Sequence, residues 1–369
     1  MKRKSVLCFL MLLTISLIFI SCGKENHQQN ENSPSIPDNS NMESESPEIS
    51  LSSKVTSLAD GFSAVKYEGA YGFDEFLLQG GASSDAEVVS YLTTNVLSGV
   101  NGLSLDGIPF GCSTILVKDE NGNVLFGRNF DWNTCSAMIV QSVPENGYAS
   151  ISTVNTDFIS MSGMRLSTLP DKVQAIICLY APLDGMNEKG LAVSVNMIQD
   201  RSTISQNTDK PDITTTTAIR LLLDKAATVE EAIALLEQYD MHASMGYMMH
   251  LAIADRDGNS MVIEYINNEM IVTETPVVTN FYLAEGDKHG IGTKQSHERY
   301  DILMQTLADK KTLNMDGVRY ALSSVSKKNF GEFESTEWSV VFNQSTGEVH
   351  YYHRENYSER FTFLLGKEG

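Results

Sequence analysis

The stretch Pro109-Phe110-Gly111-Cys112-Ser113-Thr114 is followed downstream by Gly127-Arg128-Asn129-Phe130-Asp131-Trp132. Taken alone, Cys112 would be interpreted as a small buried apolar residue, because free cysteine is among the most buried residue types. Its neighbours favour another interpretation. Gly111 leaves the carbonyl group of the Gly–Cys peptide bond sterically open, and Pro109 restricts the backbone that leads to it. Such a bond suits an N-to-S acyl shift, so the stretch predicts that cleavage releases Cys112 as a new N-terminus.

A cysteine at an N-terminus carries its own general base. A free α-amino group has a reference pKa of about 7.7 to 8.0, so it can take the thiol proton and later give one to a leaving amine. A separate catalytic histidine is then not required. This agrees with the sequence, in which none of the 7 histidines lies in a recognisable cysteine–histidine motif.

The composition is that of a globular protein. The 369 residues are 42% hydrophobic, which is enough for one large domain or two small ones. The formal net charge of -20 argues against a nucleic-acid partner, because phosphate binding needs a basic face. The sequence contains no CxxC motif, no HExxH motif and no close histidine pair with ligand spacing. No metal ion and no other cofactor is therefore expected.

The first residues predict an export signal rather than part of the fold. Lys2, Arg3 and Lys4 precede an apolar run over 5–20, which is too short and too terminal to be interpreted first as a membrane span. The run ends in Phe19-Ile20-Ser21-Cys22-Gly23, which resembles a bacterial lipobox. We expect a lipoprotein signal peptide over 1–22, lipidation of Cys22 and anchoring in the bacterial cell envelope. Ordinary signal cleavage and a retained anchor are the alternatives.

Two segments separate this signal from Cys112. Residues 23–54 are rich in Asn, Ser, Glu, Gln and Pro, so they predict a disordered polar tether. Residues 55–111 carry aromatic side chains between Phe62 and Leu77 and a helix signal that begins at Ser84, so they predict a small folded or docked propeptide. The cysteines beyond Cys22 are Cys112, Cys135 and Cys178. Whether Cys135 and Cys178 pair is left open.

After Cys112 the sequence alternates between hairpin and helix signals. The turn Asp119-Glu120-Asn121-Gly122 predicts a hairpin, and further strand pairs fit 250–254 with 261–265, 269–273 with 277–279, and 338–342 with 349–353. Helical periodicity covers 216–226, 230–239, 296–308 and 316–326, the second of these behind the capping box Thr228-Val229-Glu230-Glu231. Strands with separate helix pairs predict two sheets between helical layers.

Three further motifs complete the pattern. These are Gly185-Met186-Asn187-Glu188-Lys189-Gly190-Leu191 leading to Asn196, then Val278-Thr279-Asn280, and then Arg299 on a predicted helix. In order and approximate spacing, the motifs from Cys112 onwards resemble the choloylglycine hydrolases, or linear amide C-N hydrolases, a family that contains bile salt hydrolases and penicillin V acylases. The resemblance covers the chain from Cys112 to near its end. It implies an α+β fold for 112–369, a four-layer αββα N-terminal-nucleophile hydrolase sandwich of antiparallel sheets.

The resemblance also implies the roles of six residues. Cys112 is the nucleophile, and Arg128 lies beside it, where a cation favours the thiolate. Asp131 accepts a hydrogen bond from the Cys112 α-amine. Asn196 and Asn280 stabilise the transition state, and Arg299 is the second arginine of the site. Without the family, Arg128 and Asp131 could form a surface pair, Asn280 a turn and Arg299 an exposed helix position, whereas Asn196 interrupts an apolar strand, where a buried amide needs a partner.

The implied activity is hydrolysis of a linear amide through a thioester on Cys112 after self-cleavage at Gly111–Cys112. The expected partner is a small-molecule N-acyl amide, either a conjugated bile salt or a penicillin V-like compound. Acyl transfer, cleavage of an N-acyl lipid and a non-catalytic surface lipoprotein that only binds are the alternatives, because pocket shape decides among them. The precursor is expected to contact the membrane through its lipid anchor. Whether the mature fragment is then released is left open. A homo-oligomer is left open.

Overall fold

We describe a computed structural model, which covers residues 47–107, 109–162, 165–328 and 334–366. These residues fall within one compact unit, Asn41–Gly369. The predicted signal peptide, Cys22 and the tether as far as residue 46 lie outside the described residues. Within the described ranges, no helix combines the length and the apolar composition that crossing a membrane requires.

Nineteen strands form in the described ranges. The first ten are β1 (Thr56–Ala59), β2 (Phe62–Glu68), β3 (Leu103–Leu105), β4 (Gly111–Lys118), β5 (Val124–Trp132), β6 (Ala137–Val143), β7 (Ser150–Asn155), β8 (Ile159–Met161), β9 (Asp184–Asn187) and β10 (Ala192–Met197). The others are β11 (Asp212–Thr214), β12 (Asp240–His242), β13 (Met249–Ala254), β14 (Ser260–Ile266), β15 (Glu269–Glu274), β16 (Val277–Val278), β17 (Ser335–Asn343), β18 (Glu348–His353) and β19 (Phe361–Leu364).

The described ranges also contain seven α-helices. They are α1 (Phe73–Leu78), α2 (Asp85–Tyr91), α3 (Asp171–Leu179), α4 (Thr215–Lys225), α5 (Val229–Leu236), α6 (Lys294–Asp309) and α7 (Met315–Ser324). The helix signal at Ser84 is confirmed, because the Ser84 side chain accepts a hydrogen bond from Glu87 N–H at the start of α2. The α-helix ends at Tyr91 and continues as a π-helical turn over Leu92–Val96. The four helices predicted after Cys112 correspond to α4, α5, α6 and α7.

Two sheets pack face to face between layers of helices. The large sheet has nine strands in the order β1-β2-β6-β7-β9-β10-β13-β14-β15, and the small sheet has six in the order β16-β4-β5-β17-β18-β19. Strand β10 of the large sheet contacts β4 of the small one. Helices α3 and α4 cover the large sheet, and α6 and α7 cover the small sheet. The predicted α+β, four-layer αββα arrangement is therefore confirmed.

The segment 55–111 is part of this architecture. Strand β2 extends the large sheet and pairs with β6 in parallel, so that Phe62 faces Ala137 and Glu68 faces Val143. All other neighbouring strands of these two sheets pair antiparallel, so the predicted antiparallel order fails only at the β2–β6 pair. The aromatic side chains of the segment are buried: Phe62, Tyr67, Tyr71, Phe73 and Phe76 are at most 4% exposed. They therefore belong to the core rather than to an exposed patch.

Polar contacts also join this segment to helix α4. The Tyr71 hydroxyl donates to the buried carboxylate of Asp224, and that carboxylate pairs with Arg220 at 2.7 Å. Lys225 Nζ lies 2.7 Å from Asp74 Oδ1. Burial of a charged group requires such partners, so these contacts fix the segment against α4 at a defined position.

Two sequence-based expectations are wrong in part. The strands over 269–273 and 277–279 do not pair with each other, because β15 pairs with β14 in the large sheet while β16 pairs with β4 in the small sheet. The expected disordered tether over 23–54 extends too far. Ile49 N–H donates to Thr362 O at 2.8 Å, and Ile49 and Leu51 pack against the core, so residues 48–52 are docked.

Candidate active site

Strands β4 and β5 carry three of the six predicted site residues, Cys112, Arg128 and Asp131. The hairpin turn is held by Asp119, whose carboxylate accepts from Asn121 N–H and Asn123 N–H at 2.9 and 2.8 Å. This turn fixes the register that places Cys112 opposite Phe130. Cys112 is the second residue of β4 and is completely buried. The hairpin predicted from the sequence is confirmed.

The Cys112 thiol lies against a buried guanidinium. Arg128 Nη2 is 3.3 Å from Cys112 Sγ and donates to the Val195 carbonyl at 3.0 Å. The other end of Arg128 forms an ion pair with Asp184, which also accepts from Trp338 Nε1 at 2.9 Å. Arg128 is 0% exposed, which excludes the alternative of a surface pair with Asp131. Asp184 and Trp338 hold the guanidinium toward the sulfur.

Burial holds the pKa of the Cys112 thiol above its ordinary value. Burial raises the pKa of Cys112 to about 11, although Arg128 and Arg299 act in the opposite direction. Arg128 alone therefore does not make the thiolate in this state. Deprotonation of this thiol would need a base close to it or exposure of the site.

The backbone of Cys112 is held by two further predicted residues. Its N–H donates to Asn280 Oδ1 at 2.9 Å, and its carbonyl accepts from Arg299 Nη1. Arg299 Nη2 also donates to Asn280 Oδ1 at 2.8 Å, and Arg299 Nη1 contacts Ser113 Oγ. Asn280 and Arg299 are only 4% and 5% exposed. The alternatives of a plain turn residue and an exposed helix residue are both excluded.

Asp131 lies across the hairpin from the peptide bond before Cys112. Asp131 pairs with Gly111 in the β4–β5 register. One carboxylate oxygen accepts from Thr336 Oγ1 at 2.6 Å. The other is buried without a hydrogen bond among the described residues, 3.6 Å from Arg299 Nη1 and 3.8 Å from Lys327 Nζ. In this uncut state the Cys112 N–H bonds to Asn280 rather than to Asp131.

Asn196 has an unsatisfied side chain. It lies in β10 opposite His250 of β13, and directly paired residues of an antiparallel sheet point to the same face. His250 Nε2 is 2.9 Å from the Thr279 carbonyl. The face of the sheet that carries His250 and Asn196 is therefore the face toward the turn that contains Asn280. Both polar atoms of the Asn196 amide are buried and find no partner among the described residues. Burial of such an amide is unfavourable unless a ligand forms hydrogen bonds with it.

The Asn280 turn is supported by a buried pair that the sequence analysis missed. His250 Nδ1 lies 3.0 Å from Glu264 Oε1. Glu264 also accepts from Leu283 N–H and Ala284 N–H. Burial alone would raise the pKa of the Glu264 carboxyl, but these hydrogen bonds, with that of His250 first among them, lower it below its ordinary value.

Other supporting residues were also missed. Asp184 directly precedes the Gly185 motif, so its position was a usable signal. Lys327 and Thr336 lie far from the motifs in sequence, and only the fold brings them to Asp131. Cys112, Cys135 and Cys178 are all free and buried. Across the described ranges, no group of three or more His, Cys, Asp or Glu side chains is placed to hold a metal ion.

Comparisons with known proteins agree with this geometry. Residues 112–283 match the family described as linear amide C-N hydrolases, choloylglycine hydrolase family. The penicillin V acylase of Pectobacterium atrosepticum is 29% identical over 99 residues, which is 24% of this chain and 26% of that protein. The chain thus matches about a quarter of the length of this curated relative. The family match begins at Cys112.

The fold is shared with solved structures. A variant of the conjugated bile acid hydrolase from Clostridium perfringens superposes with a TM-score of 0.53 at 18% identity, covering 70% of this chain and 93% of that one. A second variant of that enzyme gives a TM-score of 0.50 at 15% identity, covering 70% and 94%. Residues 112–283 thus match the model of the linear amide C-N hydrolases, choloylglycine hydrolase family, and the chain shares its four-layer fold with a conjugated bile acid hydrolase.

Proposed function

We propose that this chain hydrolyses a linear amide through a thioester on Cys112, after the Gly111–Cys112 bond has been cut. The observation that carries the proposal is the arrangement at Cys112: a guanidinium on its sulfur, and Asn280 and Arg299 on its backbone N–H and carbonyl. A structural cysteine needs none of these partners. They form an electrostatic environment that suits a nucleophile and an oxyanion.

Self-cleavage begins with attack by Cys112 Sγ on the Gly111 carbonyl carbon. The C–S bond forms, the C–N bond breaks, and the thiol proton ends on the Cys112 nitrogen, which becomes a free amine. Water then hydrolyses the thioester, which gives a Gly111 carboxylate and returns the thiol. Before cleavage the Cys112 nitrogen is an amide and cannot act as a base, and burial holds the pKa of the thiol above its ordinary value.

The released α-amine supplies the base for turnover. It takes the thiol proton as Sγ attacks the substrate carbonyl, and it gives a proton to the leaving amine when the tetrahedral intermediate collapses. Asp131 supports this role because its free carboxylate oxygen is buried next to the cleavage point. Thioester hydrolysis then uses the same amine to take a proton from water. The thiol and amine are thereby restored.

The oxyanion is assigned to Asn196 and Asn280. The Asn196 amide is buried with both polar atoms unsatisfied among the described residues, which suits a group that bonds only to a bound ligand. Asn280 Nδ2 donates to Met197 O at 2.7 Å in the uncut chain. The Asn280 amide nitrogen carries a second N–H, which can donate to the oxyanion. Each fixed donor of this kind is worth about 10²–10³ in rate.

The substrate class is a small N-acyl amide. Conjugated bile salts are the first candidates and penicillin V-like compounds the second, because the similar proteins are named as a conjugated bile acid hydrolase and a penicillin V acylase. We also propose that Cys22 is lipidated and that the chain is anchored in the bacterial cell envelope. The lipobox-like sequence at residues 19–23 supports this anchor.

Turnover of matched substrates tests the activity. Purified protein is incubated with a glycine-conjugated bile salt and with penicillin V, and the released amine is measured. Cys112→Ala is expected to abolish release, whereas Cys178→Ala, another buried free cysteine that lies in α3, keeps it. Undiminished release by Cys112→Ala would contradict the proposal. Labelled palmitate incorporation, compared between the unmodified chain and Cys22→Ala, tests the anchor separately.

A further inference from the structure

The backbone at Gly111 is enclosed by three charged side chains. A Cβ in the position of an L-residue would lie 2.8 Å from Lys327 Nζ, 2.9 Å from Glu334 Oε1 and 3.1 Å from Asp131 Oδ2. Optimal separations between non-bonded heavy atoms are about 3.5–4.0 Å. A substituent on this side of Gly111 would therefore require one or more of these side-chain ends to shift.

The enclosing side chains are themselves held in place. Lys327 Nζ lies 2.5 Å from Glu334 Oε1, and Lys327 is only 6% exposed. Asp131 is completely buried, with its other oxygen bonded to Thr336. Displacing Lys327 would separate it from two carboxylates in a buried environment, which is unfavourable. A substituent thus meets a network rather than a freely moving side-chain end.

In the proposed mechanism, self-cleavage and turnover both place an acyl group on Cys112 Sγ. The acyl shift passes through a five-membered ring that contains the Gly111 carbonyl carbon and the N, Cα, Cβ and Sγ atoms of Cys112. In the thioester that follows, Gly111 Cα is the α-carbon of the acyl group on Sγ. A substrate forms the same kind of thioester on the same sulfur, so its α-carbon comes next to the same three side chains.

We propose that Lys327, Glu334 and Asp131 determine the specificity for the acyl group, by admitting acyl groups with an unbranched α-carbon. An acyl group with a substituent in the position of an L-side chain is rejected. The inference rests on the proposed amidase function and narrows its substrate class to amides of α-methylene carboxylic acids. It also explains how a site that cuts its own peptide bond would spare peptides built from L-residues other than glycine.

Two enantiomers provide the turnover test. The mature protein is given the phenylacetyl amide of one chromogenic amine and both enantiomers of its α-methyl derivative. These enantiomers have equal hydrophobicity, so they differ only in shape. We expect kcat/KM to fall about 10- to 200-fold for the enantiomer whose methyl group takes the L-position, as discrimination by one methyl group in a tight site allows. Equal kcat/KM for the unbranched amide and that enantiomer would overturn the inference.

Glu334→Ala is the matching variant. It removes the atom 2.9 Å from the L-position and leaves Lys327 to pair with Asp131. We expect the difference between the unbranched amide and the rejected enantiomer to shrink at least several-fold, while turnover of the unbranched amide remains measurable. An unchanged ratio of the two kcat/KM values would assign the selectivity to other residues.

Processing provides a readout that does not depend on turnover of added amides. Gly111→Ala is expected to slow appearance of the Cys112 N-terminus at least ten-fold, and Glu334→Ala in the same chain to restore part of the rate. Gly366→Ala is the control, because a Cβ there meets no atom within 4 Å. Normal processing of Gly111→Ala would contradict the inference. Cleavage without hydrolysis of any amide would instead contradict the proposed function.

Discussion

Asn280 Oδ1 accepts hydrogen bonds both from the backbone N–H of Cys112, at 2.9 Å, and from Arg299 Nη2, at 2.8 Å. One side-chain oxygen thus connects the backbone nitrogen of Cys112 with a buried cation. In the proposed mechanism this nitrogen becomes the catalytic amine after cleavage. Asn280 therefore contacts the reacting group in both stages of the proposed mechanism.

Replacement of Asn280 tests this shared role. We expect Asn280→Ala to lower both the rate of self-cleavage and kcat/KM for amides by about 10²–10³, the usual effect of removing one fixed polar group from an oxyanion site. The appearance of the Cys112 fragment and amine release measure the two rates. Asn121→Ala, an exposed position in the β4–β5 turn, is the control for the same substitution. Normal values for both rates would remove Asn280 from the mechanism.

Asp131→Asn tests the charge beside the new N-terminus. The amide cannot favour the protonated amine that forms when the thiol ionises, so kcat should fall by about 10² or more. The variant should still fold, because its hydrogen bond from Thr336 can remain. Asp309→Asn at the exposed end of α6 is the control. Kinetics equal to those of the unmodified protein between about pH 5 and pH 9, a range that brackets the reference pKa of the amine, would show that Asp131 is structural.

Glu264→Gln tests the support of the Asn280 turn. Glu264 has a lowered pKa in the folded chain, so its carboxylate stabilises the fold above the unfolded pKa, and this contribution is lost as the pH falls through the folded value. We expect Glu264→Gln to lower the free energy of unfolding by about 1–3 kcal/mol near neutral pH and by less in acid. Denaturant unfolding at several pH values measures this difference.

A second readout separates positioning of Asn280 from stability alone. We expect Glu264→Gln to lower kcat more than it raises KM, because the Asn280 turn would lose its fixed position through His250 and Thr279. Glu348→Gln is the matched control, since Glu348 pairs with His350 at 2.7 Å and also has a lowered pKa, mainly through that hydrogen bond. If both variants changed kcat equally, Glu264 would have no particular role in the site.

The N-terminal fragment is expected to stay bound after cleavage. Strand β2 pairs with β6 along its length, and Phe62, 1% exposed, stacks on His353 at a ring distance of 4.8 Å. Cutting one peptide bond removes none of this buried area. The two fragments should elute together in native size-exclusion chromatography and separate on a denaturing gel. Elution of the Cys112 fragment alone would show release.

Phe62→Ala examines which contacts hold the fragments together. Truncation of a buried phenylalanine costs about 3–5 kcal/mol, so a measurable fraction of the N-terminal fragment should dissociate. Leu78→Ala provides the control, because Leu78 is 86% exposed. Equal dissociation of the two variants would assign the association to other contacts. In cells, retention would keep the catalytic fragment at the membrane if Cys22 is lipidated.

Local sequence signals predicted several strands and helices. They did not predict how distant strands pair. The β4–β5 hairpin follows from the Asp119 turn, and α2 and α5 follow from the caps at Ser84 and Thr228. The short link over 274–276 suggested a hairpin between the strands predicted at 269–273 and 277–279. Instead the chain crosses to the other sheet there, and Pro276 O accepts from Leu116 N–H at 2.8 Å. Neither the β16–β4 pair nor the parallel β2–β6 pair has a local sequence signal.

The site residues also divide into those that local motifs predicted and those that only the fold brings together. The six residues proposed from the family motifs could be named because the motifs carry them, and five of these lie in direct contact around Cys112. Asn196 joins them only through neighbouring backbone atoms, since its own amide has no partner among the described residues. Lys327, Thr336 and Glu264 come from distant positions without a pattern. Only the packing of β17, β14 and the preceding loops brings them to the site.

Intact-mass spectrometry of the purified protein, combined with an amidase assay on the same sample, tests the central claim most directly. We expect a fragment that begins at Cys112 with a free α-amine, together with activity that appears in proportion to that fragment. Cys112→Ala should remain uncut and inactive. A single uncut chain that retains the Gly111–Cys112 bond and hydrolyses amides at the full rate would contradict the account.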